Sequence, residues 1–599
     1  MARIDAVLHE GGGGPVAELG RAPDDAASSD DGVRSALTSL EAVASCLRKH
    51  HPAATVWMSP AGEDAAWMDA WYRALAAPSI SSWLTGVSWG PVILGSETQM
   101  LSRLPPANIT TGPSSPLKVR LYPDICHTLT AMYPVPDWSY VWANTHGRQV
   151  VNPLPRHYAD VIEMNTNASL RARSVGFGGY SEGAADDFNK ALWSALYMEP
   201  LLSVEALADQ YARHFFPEDA GAADGAALIF GLERNWVGDA MANTAVLSTL
   251  ATADRLYESA GGDGAIYRSA NWRLQSHLMR AYFDGYVQAK ARFESQRERE
   301  TKEAIIAAVE AGTCNPGAAL AVLARPFTNT AALGWRSRTY ALARAINISS
   351  SLCGGCEYGG MAVLESQNPG LSLSGFTLLA QDIPGWIDGP VLSDTVFLRS
   401  SLTNVSAEVD SVQHRCAALS ALVGWEDPGA GGFYDQLGGL PRSPRLDSGF
   451  GVAADPQFSF APMIQFDEDY TRWPMTTDNA PQRVAWHRYA QTYGDHPLVL
   501  GYDGLDTTAN YTFSVVYAFA GFGRRPKSSL TAIGTGGQSA LLHDFMEAPQ
   551  PTQRISFAIP AAVTRGGELQ VECHQPAGIC QNGNGRGCQI AEVWLTRNA

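Results

Sequence analysis

The first 200 residues alternate between short apolar strands and amphipathic helices, and this alternation constrains the fold more than any other feature. Apolar runs of about four to eight residues are typical of buried strands, whereas apolar residues three and four positions apart indicate helices. Helices between consecutive strands favour parallel β/α units. Five strands are predicted on this basis, at Ile4–His9, Thr55–Pro60, Trp83–Pro91, Lys118–Tyr122 and Ser174–Tyr180.

Five strands are too few for the barrel that such units commonly build. A closed (β/α)8 barrel needs eight strands and about 250 residues. Residues 1–200 are therefore predicted to form a partial (β/α)8-type barrel, which would be the catalytic-like domain. Either the sheet is open, with long edges to protect, or the first three units are missing from this sequence.

The rest of the chain divides into a helical and a β-rich region. Residues 201–424 are predicted to be mainly helical, with helices at 204–216, 226–237, 245–260, 267–297, 302–310 and 334–349. A Gly/Pro/Asp-rich linker opens residues 425–599, where apolar and polar residues then alternate in short segments. This pattern predicts a C-terminal β-sandwich. The predicted fold class is thus α/β plus all-α plus all-β.

The charge balance limits the partners of the chain. Sixty Asp and Glu against 43 Lys and Arg give a net charge of -17, which repels nucleic acid and anionic membranes. No nucleic-acid partner is therefore predicted. No sequence window approaches the roughly 20 apolar residues of a membrane span, so no membrane span is predicted either. Composition leaves the oligomeric state undetermined.

Two localisations remain open. The N-terminus shows no basic-then-apolar signal peptide, which predicts a cytoplasmic protein for the chain as it stands. If the N-terminus is incomplete, a secreted or lumenal protein is expected. Five Asn-x-Ser/Thr tripeptides favour the second case, at Asn108, Asn167, Asn347, Asn404 and Asn510.

The cysteines argue for disulfide chemistry over metal binding. Of nine cysteines, Cys353 and Cys356 have the spacing C-x-x-C, but a structural zinc site needs a second pair of ligands. No metal and no other cofactor is therefore predicted. Cys573, Cys580 and Cys588 crowd the C-terminal region, where they can include one bridge.

Seven short motifs carry a resemblance that extends over most of the chain from about residue 33. They are Tyr122–His127, Tyr133–Trp138, Asn152–Arg156, Tyr180–Gly183, Asp186–Lys190, Trp425–Gly429 and Gly585–Leu595. These motifs resemble a group of uncharacterised glycoside-hydrolase-like proteins of bacteria and plants. Their layout of barrel, helical domain and β-domain is similar to that of α-glucuronidases and hexosaminidase-type enzymes. The resemblance implies a carbohydrate substrate and cleavage of a glycosidic bond.

The chain departs from this resemblance near its N-terminus. Relatives carry an acid in a Gly-Gly-Asp-Pro-Gly loop where this chain has Glu10–Pro15. The acid is either absent here or displaced to Glu10. If that loop holds a catalytic carboxylate, the departure implies impaired catalysis.

Two carboxylates form the predicted catalytic pair. Glycosidases place two carboxyl groups on either side of the bond, about 5 Å apart for retention and about 6.5–9.5 Å apart for inversion. Asp124 and Glu182 follow the last two predicted strands, and the carboxyl ends of barrel strands carry catalytic residues. One of the two must stay protonated near neutral pH, which burial among apolar neighbours favours.

Several residues near this pair are predicted to bind substrate. Tyr122 and Tyr180 neighbour the two carboxylates. His127 either hydrogen-bonds a sugar hydroxyl or has a structural role in its turn. Asp187 either contacts substrate or, with Asp186, favours the start of the following helix.

Three tryptophans are predicted to be stacking platforms for sugar rings, with core packing as the alternative for each. They are Trp57, Trp89 and Trp138, which stand at or just after strand ends. The leading hypothesis is therefore a glycoside hydrolase. The alternatives are a catalytically inactive carbohydrate-binding protein and an N-terminally incomplete enzyme.

Overall fold

The computed structural model describes most of the chain in separate stretches. They are residues 6–10, 29–60, 65–89, 97–105, 117–121, 124–126, 139–143, 151–165, 173–177, 180–181, 186–199, 202–216, 222–352, 387–388, 391–408, 411–438, 443–447, 464–466, 483–493, 497–518, 527–549, 552–576 and 586–598.

All five predicted N-terminal strands are confirmed as strands of one sheet. The strands of this region are β1 (Ala6–Glu10), β2 (Thr55–Ser59), β3 (Gly86–Trp89), β4 (Lys118–Leu121), β5 (Asp124–Cys126), β6 (Ser174–Phe177) and β7 (Tyr180–Ser181). The order in the five-stranded sheet is β1-β2-β3-β4-β6, and every neighbouring pair is parallel. Strands thus follow one another in chain order, as in a barrel, whereas doubly wound sheets reverse direction at a switch point.

Three helices cover one face of this sheet. They are α1 (Ser29–His50), α2 (Ala65–Leu75) and α3 (Glu97–Arg103). Side chains from all three share a core with Met58, Val87 and Val119, which lie on one face of neighbouring strands. Successive side chains of a strand point to opposite faces, so the alternate positions face away from these helices. Within the described residues the sheet is an open path that ends at β1 and β6, and barrel closure is not observed.

Helices dominate the middle of the chain. They are α4 (Tyr140–Ala143), α5 (Pro155–Asn165), α6 (Asp187–Met198), α7 (Val204–Phe215), α8 (Ala222–Trp236), α9 (Ala245–Ser259), α10 (Gly262–Ala265), α11 (Trp272–Glu310), α12 (Gly317–Leu323), α13 (Thr330–Leu352), α14 (Thr395–Glu408) and α15 (Val412–Val423). The largest core joins helices on both sides of residue 200, since Phe188 and Leu192 of α6 pack with Leu228 of α8. The helix that follows the last sheet strand therefore packs mainly into the helical layer.

The predicted interruption near residue 300 is wrong. One helix, α11, runs through 39 residues and includes the second predicted segment and all but the first five residues of the first one. Its polar middle favours helix, because residues four apart lie on the same side and form pairs. Lys302 Nζ lies 2.7 Å from Glu298 Oε1, and Gln296 donates to Glu300 at 2.8 Å. None of the described helices has the length and apolarity of a membrane span.

Two antiparallel sheets form the C-terminal region. Their strands are β8 (Phe433–Gln436), β9 (Ile464–Phe466), β10 (Arg488–Tyr493), β11 (Leu498–Tyr502), β12 (Asn510–Tyr517), β13 (Lys527–Gly534), β14 (Ser539–Glu547), β15 (Arg554–Ile559), β16 (Leu569–His574) and β17 (Arg586–Asn598), with a short helix, α16 (Ala561–Thr564), before β16. One sheet has the order β15-β12-β17-β10-β9 with β8 beside β17, and the other has the order β11-β16-β13-β14.

A shared apolar core joins the two sheets. Phe513 and Val593 of the larger sheet pack with Leu530 and Val571 of the smaller one. A disulfide between Cys573 and Cys588 links β16 to β17, so the bridge expected among the C-terminal cysteines is confirmed. A second disulfide, Cys314–Cys416, ties the turn after α11 to α15.

Candidate functional site

The two predicted catalytic segments are neighbours at the carboxyl edge of the parallel sheet. β5 begins three positions after the end of β4, β7 begins three positions after the end of β6, and the two form a separate two-stranded sheet. β5 and β7 pair in parallel, with Asp124 opposite Tyr180 and Cys126 opposite Ser181. The backbone of Asp124 therefore lies beside the residue that precedes Ser181-Glu182.

The structure does not describe the side chains of the predicted catalytic pair, Asp124 and Glu182. Glu182 lies outside the described residues, as do the predicted binding residues Tyr122, His127 and Trp138. For Asp124 and Tyr180 the backbone pairing is described. The catalytic pair thus stays a prediction, now supported by adjacent backbone segments.

The tryptophans Trp57 and Trp89 lie on opposite faces of the parallel sheet. Trp89 is fully buried in the core beneath the helices, which favours its packing role over the predicted stacking role. Trp57 lies on the other face. Its ring covers Gly86, where the Cβ of any larger residue would lie only 2.7 Å from the ring. Its indole nitrogen donates to Thr55 Oγ1 at 3.0 Å. Trp57 is itself only 6% exposed, and of the two rings it is the one on the face opposite the helices.

Asp187 anchors three helices to one another. Its carboxylate accepts hydrogen bonds from Arg273 at 2.7 and 2.8 Å and from the Tyr211 hydroxyl at 2.7 Å. Burial raises the pKa of Asp187, but the hydrogen bonds from Arg273 and Tyr211 outweigh burial and bring the pKa below its ordinary value. Both carboxylate oxygens are thus occupied within the protein, which favours a structural role over the predicted substrate contact.

A second group of polar residues joins the helical region to the C-terminal sheets. Arg483 is 6% exposed and lies 2.9 Å from Asp394 and 3.4 Å from Glu592; it also donates to Glu426. Burial lowers the pKa of Arg483, but Asp394, Glu592 and Glu426 outweigh burial and raise the pKa above its ordinary value. The guanidinium therefore stays charged and holds three carboxylates from three parts of the chain.

Aromatic donors complete the surroundings of Glu592. This carboxylate is fully buried and accepts from Trp486 Nε1 at 2.7 Å, Trp425 Nε1 at 3.1 Å and the Tyr434 hydroxyl at 2.6 Å. Buried charges are tolerated only when they are paired and hydrogen-bonded. The group of Arg483, Glu592 and these aromatic residues is named the Arg483 hub below.

A cleft of about 560 Å³ opens beside the Arg483 hub. Each of its walls carries both acidic and basic side chains: α11 contributes Glu298, Arg299, Lys302 and Glu303, and the other wall contributes Asp394, Glu426 and Arg483. Sequence interpretation missed this group as a unit, although it singled out the motifs around Trp425 and Glu592. The signal was present as two acidic-aromatic motifs, but nothing in the sequence indicated that they meet.

We expect Arg483→Met to lower the free energy of unfolding by about 3–5 kcal/mol, because it leaves buried carboxylates without their cation. Denaturant unfolding followed by tryptophan fluorescence measures this loss, since Trp425 and Trp486 report on the hub. Arg597→Met is the matched control, because its ion pair with Asp506 lies at the surface, with side chains 44% and 32% exposed, and such surface pairs contribute little. Equal shifts of the unfolding midpoint in both variants would contradict the role of the hub.

Metal ligation finds no support among the described residues. No group of three or more His, Cys, Asp and Glu side chains in the described stretches is arranged to hold a metal ion. Cys353 and Cys356 lie outside these stretches.

Comparison with known proteins adds little to this geometry. No protein-family model matches the chain, and no curated protein matches it. The chain is similar to the solved structure of a family GH115 4-O-methyl-α-glucuronidase with specificity for decorated arabinogalactans, with 9% sequence identity and a TM-score of 0.29. The likeness covers 99% of this chain, which spans 64% of that chain's length. A likeness this weak carries no argument about activity.

Proposed function

We propose that the chain is a glycoside-hydrolase-like protein that acts on a carbohydrate at the carboxyl edge of its parallel sheet. The observation that carries this proposal is the parallel pairing of β5 with β7, which sets Asp124 opposite Tyr180. Two segments that each carry a predicted catalytic carboxylate are thereby adjacent. In barrels the carboxyl ends of the strands form the active site.

The architecture supports the proposal in a second way. Sequential strand order and helices on one face are the arrangement of a barrel wall, whose opposite face forms the inner surface. Trp57 lies on that face, and an aromatic ring there offers a flat apolar surface to a sugar. We propose Asp124 and Glu182 as the catalytic pair: one, as the acid, protonates the leaving oxygen as the glycosidic C–O bond breaks, and the other, as the carboxylate, either activates the attacking water or attacks the anomeric carbon itself before water releases the sugar.

The experiment is a release assay with the full chain. We expect new reducing ends from at least one member of a panel of plant polysaccharides that includes arabinogalactan and glucuronoxylan. Affinity electrophoresis on the same panel measures binding separately. Binding without release would favour the inactive carbohydrate-binding protein. If the chain neither binds nor cleaves any member of the panel, the proposal is overturned.

A further inference from the structure

Four polar positions form a row across the parallel sheet. Glu10 stands opposite Ser59 in the pairing of β1 with β2, and Ser88 stands opposite Arg120 in the pairing of β3 with β4. β2 and β3 pair at Met58 and Val87, so the next step of the same register sets Ser59 opposite Ser88. Residues in register on parallel strands share a face.

The row lies on the face opposite the helices. Met58 and Val87, the immediate neighbours of the two serines, belong to the core beneath α1, α2 and α3. Side chains alternate along a strand, so Ser59 and Ser88 share the other face with Trp57. The indole of Trp57 covers Gly86, where an added Cβ would also clash with the carbonyl oxygen of Lys118. A flat ring and two hydroxyls thus stand next to one another near the carboxyl ends of β2 and β3.

Both serine hydroxyls are buried without a partner. Ser59 and Ser88 are 0% exposed, and neither Oγ has a hydrogen-bond partner within the described structure. Native proteins pair nearly all buried polar groups, and each exception requires an explanation. Two such exceptions in adjacent strands, on the same face and at the same level, point to a ligand that supplies the missing hydrogen bonds.

The charges of the row indicate the class of ligand. By residue type the row contains one acid, Glu10, and one base, Arg120, so its composition favours neither an anion nor a cation. A serine hydroxyl both donates and accepts, as does each hydroxyl of a sugar. A neutral polyhydroxylated ring satisfies both serines and rests its apolar face on an aromatic ring.

We propose that Ser59 and Ser88 bind hydroxyl groups of a neutral sugar residue of the substrate, and that Trp57 supports its ring. This inference rests on the proposed function and extends it to the part of the ligand that the two serines recognise. The serines act in binding and specificity, whereas Asp124 and Glu182 carry the proposed chemistry.

The test combines stability with binding in Ser59→Ala, Ser88→Ala and the double variant. Without ligand we expect each variant to unfold about 1–3 °C higher than the parent chain, because alanine removes an unsatisfied buried hydroxyl. Ligand-observed NMR with D-xylose, D-glucose, D-galactose and L-arabinose, each tested singly, measures binding. We expect about fivefold weaker binding for each single variant, the equivalent of one hydrogen bond.

Ser174→Ala is the matched control. Its hydroxyl lies 2.8 Å from the Tyr197 hydroxyl of α6, so its loss is expected to lower the unfolding temperature and leave sugar binding unchanged. The inference is overturned if the parent chain binds none of the four sugars, or if the Ser59 and Ser88 variants bind them as the parent does. If these variants bind sugar as the parent does and the chain hydrolyses glycan, the role of the serines is contradicted and the proposed hydrolase activity stands. If the variants bind sugar more weakly but the chain hydrolyses no glycan, the role of the serines stands and the proposed hydrolase activity is contradicted.

Discussion

Glu182→Gln and Asp124→Asn are each expected to lower the rate of glycan hydrolysis by about 10²–10⁴-fold, the range that a positioned acid or base contributes. The amide keeps the size of each side chain but can neither donate the proton to the leaving oxygen nor act as base or nucleophile. Initial rates on the polysaccharide found by the release assay measure the effect, with kcat and KM determined separately. A loss confined to kcat indicates that the carboxylate acts in the transition state.

Two surface acids of α7, Glu205 and Asp209, serve as matched controls, with side chains 55% and 36% exposed. Glu205→Gln and Asp209→Asn make the same chemical changes at residues whose cationic partners, Arg156 and Arg213, lie on the surface. We expect both control variants to hydrolyse glycan at the parental rate. If Glu182→Gln and Asp124→Asn were as active as these controls, neither carboxylate would belong to the catalytic pair.

The second large effect is expected at the centre of the helical core. Asp284→Ala should lower the free energy of unfolding by about 3–5 kcal/mol, because it leaves the buried guanidinium of Arg280 without its anion. Both side chains are fully buried, and Arg280 Nε lies 2.8 Å from Asp284 Oδ1. Asn235 and Trp236 also donate to the carboxylate, at 2.8 and 3.1 Å. Denaturant unfolding followed by circular dichroism of the helices measures the loss.

Arg280 also connects this core to the chain that leads into α5. It donates to the carbonyl oxygen of Val151 at 2.9 Å and to the side chain of Asn152 at 3.2 Å. The double variant Arg280→Met with Asp284→Leu separates charge from packing, since apolar replacement of a buried pair is often close to neutral. We expect the double variant to be more stable than Asp284→Ala. A double variant less stable than the single one would show that the contacts of Arg280 to the backbone matter more than the unpaired charge.

Local periodicity predicted the parallel strands well. Thr55–Pro60 and Lys118–Tyr122 were recognisable because buried parallel strands are short apolar runs between helices. The same reasoning placed a break in α11, because charged residues around Arg297 interrupt the apolar pattern. Pairs such as Lys302 with Glu298 stabilise a helix that lacks an apolar face. A search for apolar periodicity does not detect such pairs.

The strands that form the candidate site were predictable from the sequence, but the positions of the tryptophans around it were less so. Strand ends of a parallel sheet meet at one edge, so Asp124 was expected near the segment of Tyr180, and their backbones pair. Trp57 and Trp89 both stand near strand ends in the sequence, yet they lie on opposite faces. That difference depends on the register and parity of each strand, which the apolar runs alone do not define.

By itself the sequence determined the kinds of elements and their order, because strand and helix periods are properties of neighbouring residues. The tertiary structure decided which distant residues meet. Trp425 and Glu592 are 167 positions apart and share a hydrogen bond, while Ser59 and Ser88 come together through strand register. Such contacts depend on how layers pack and strands align, and each is specified by the whole chain rather than by any local pattern.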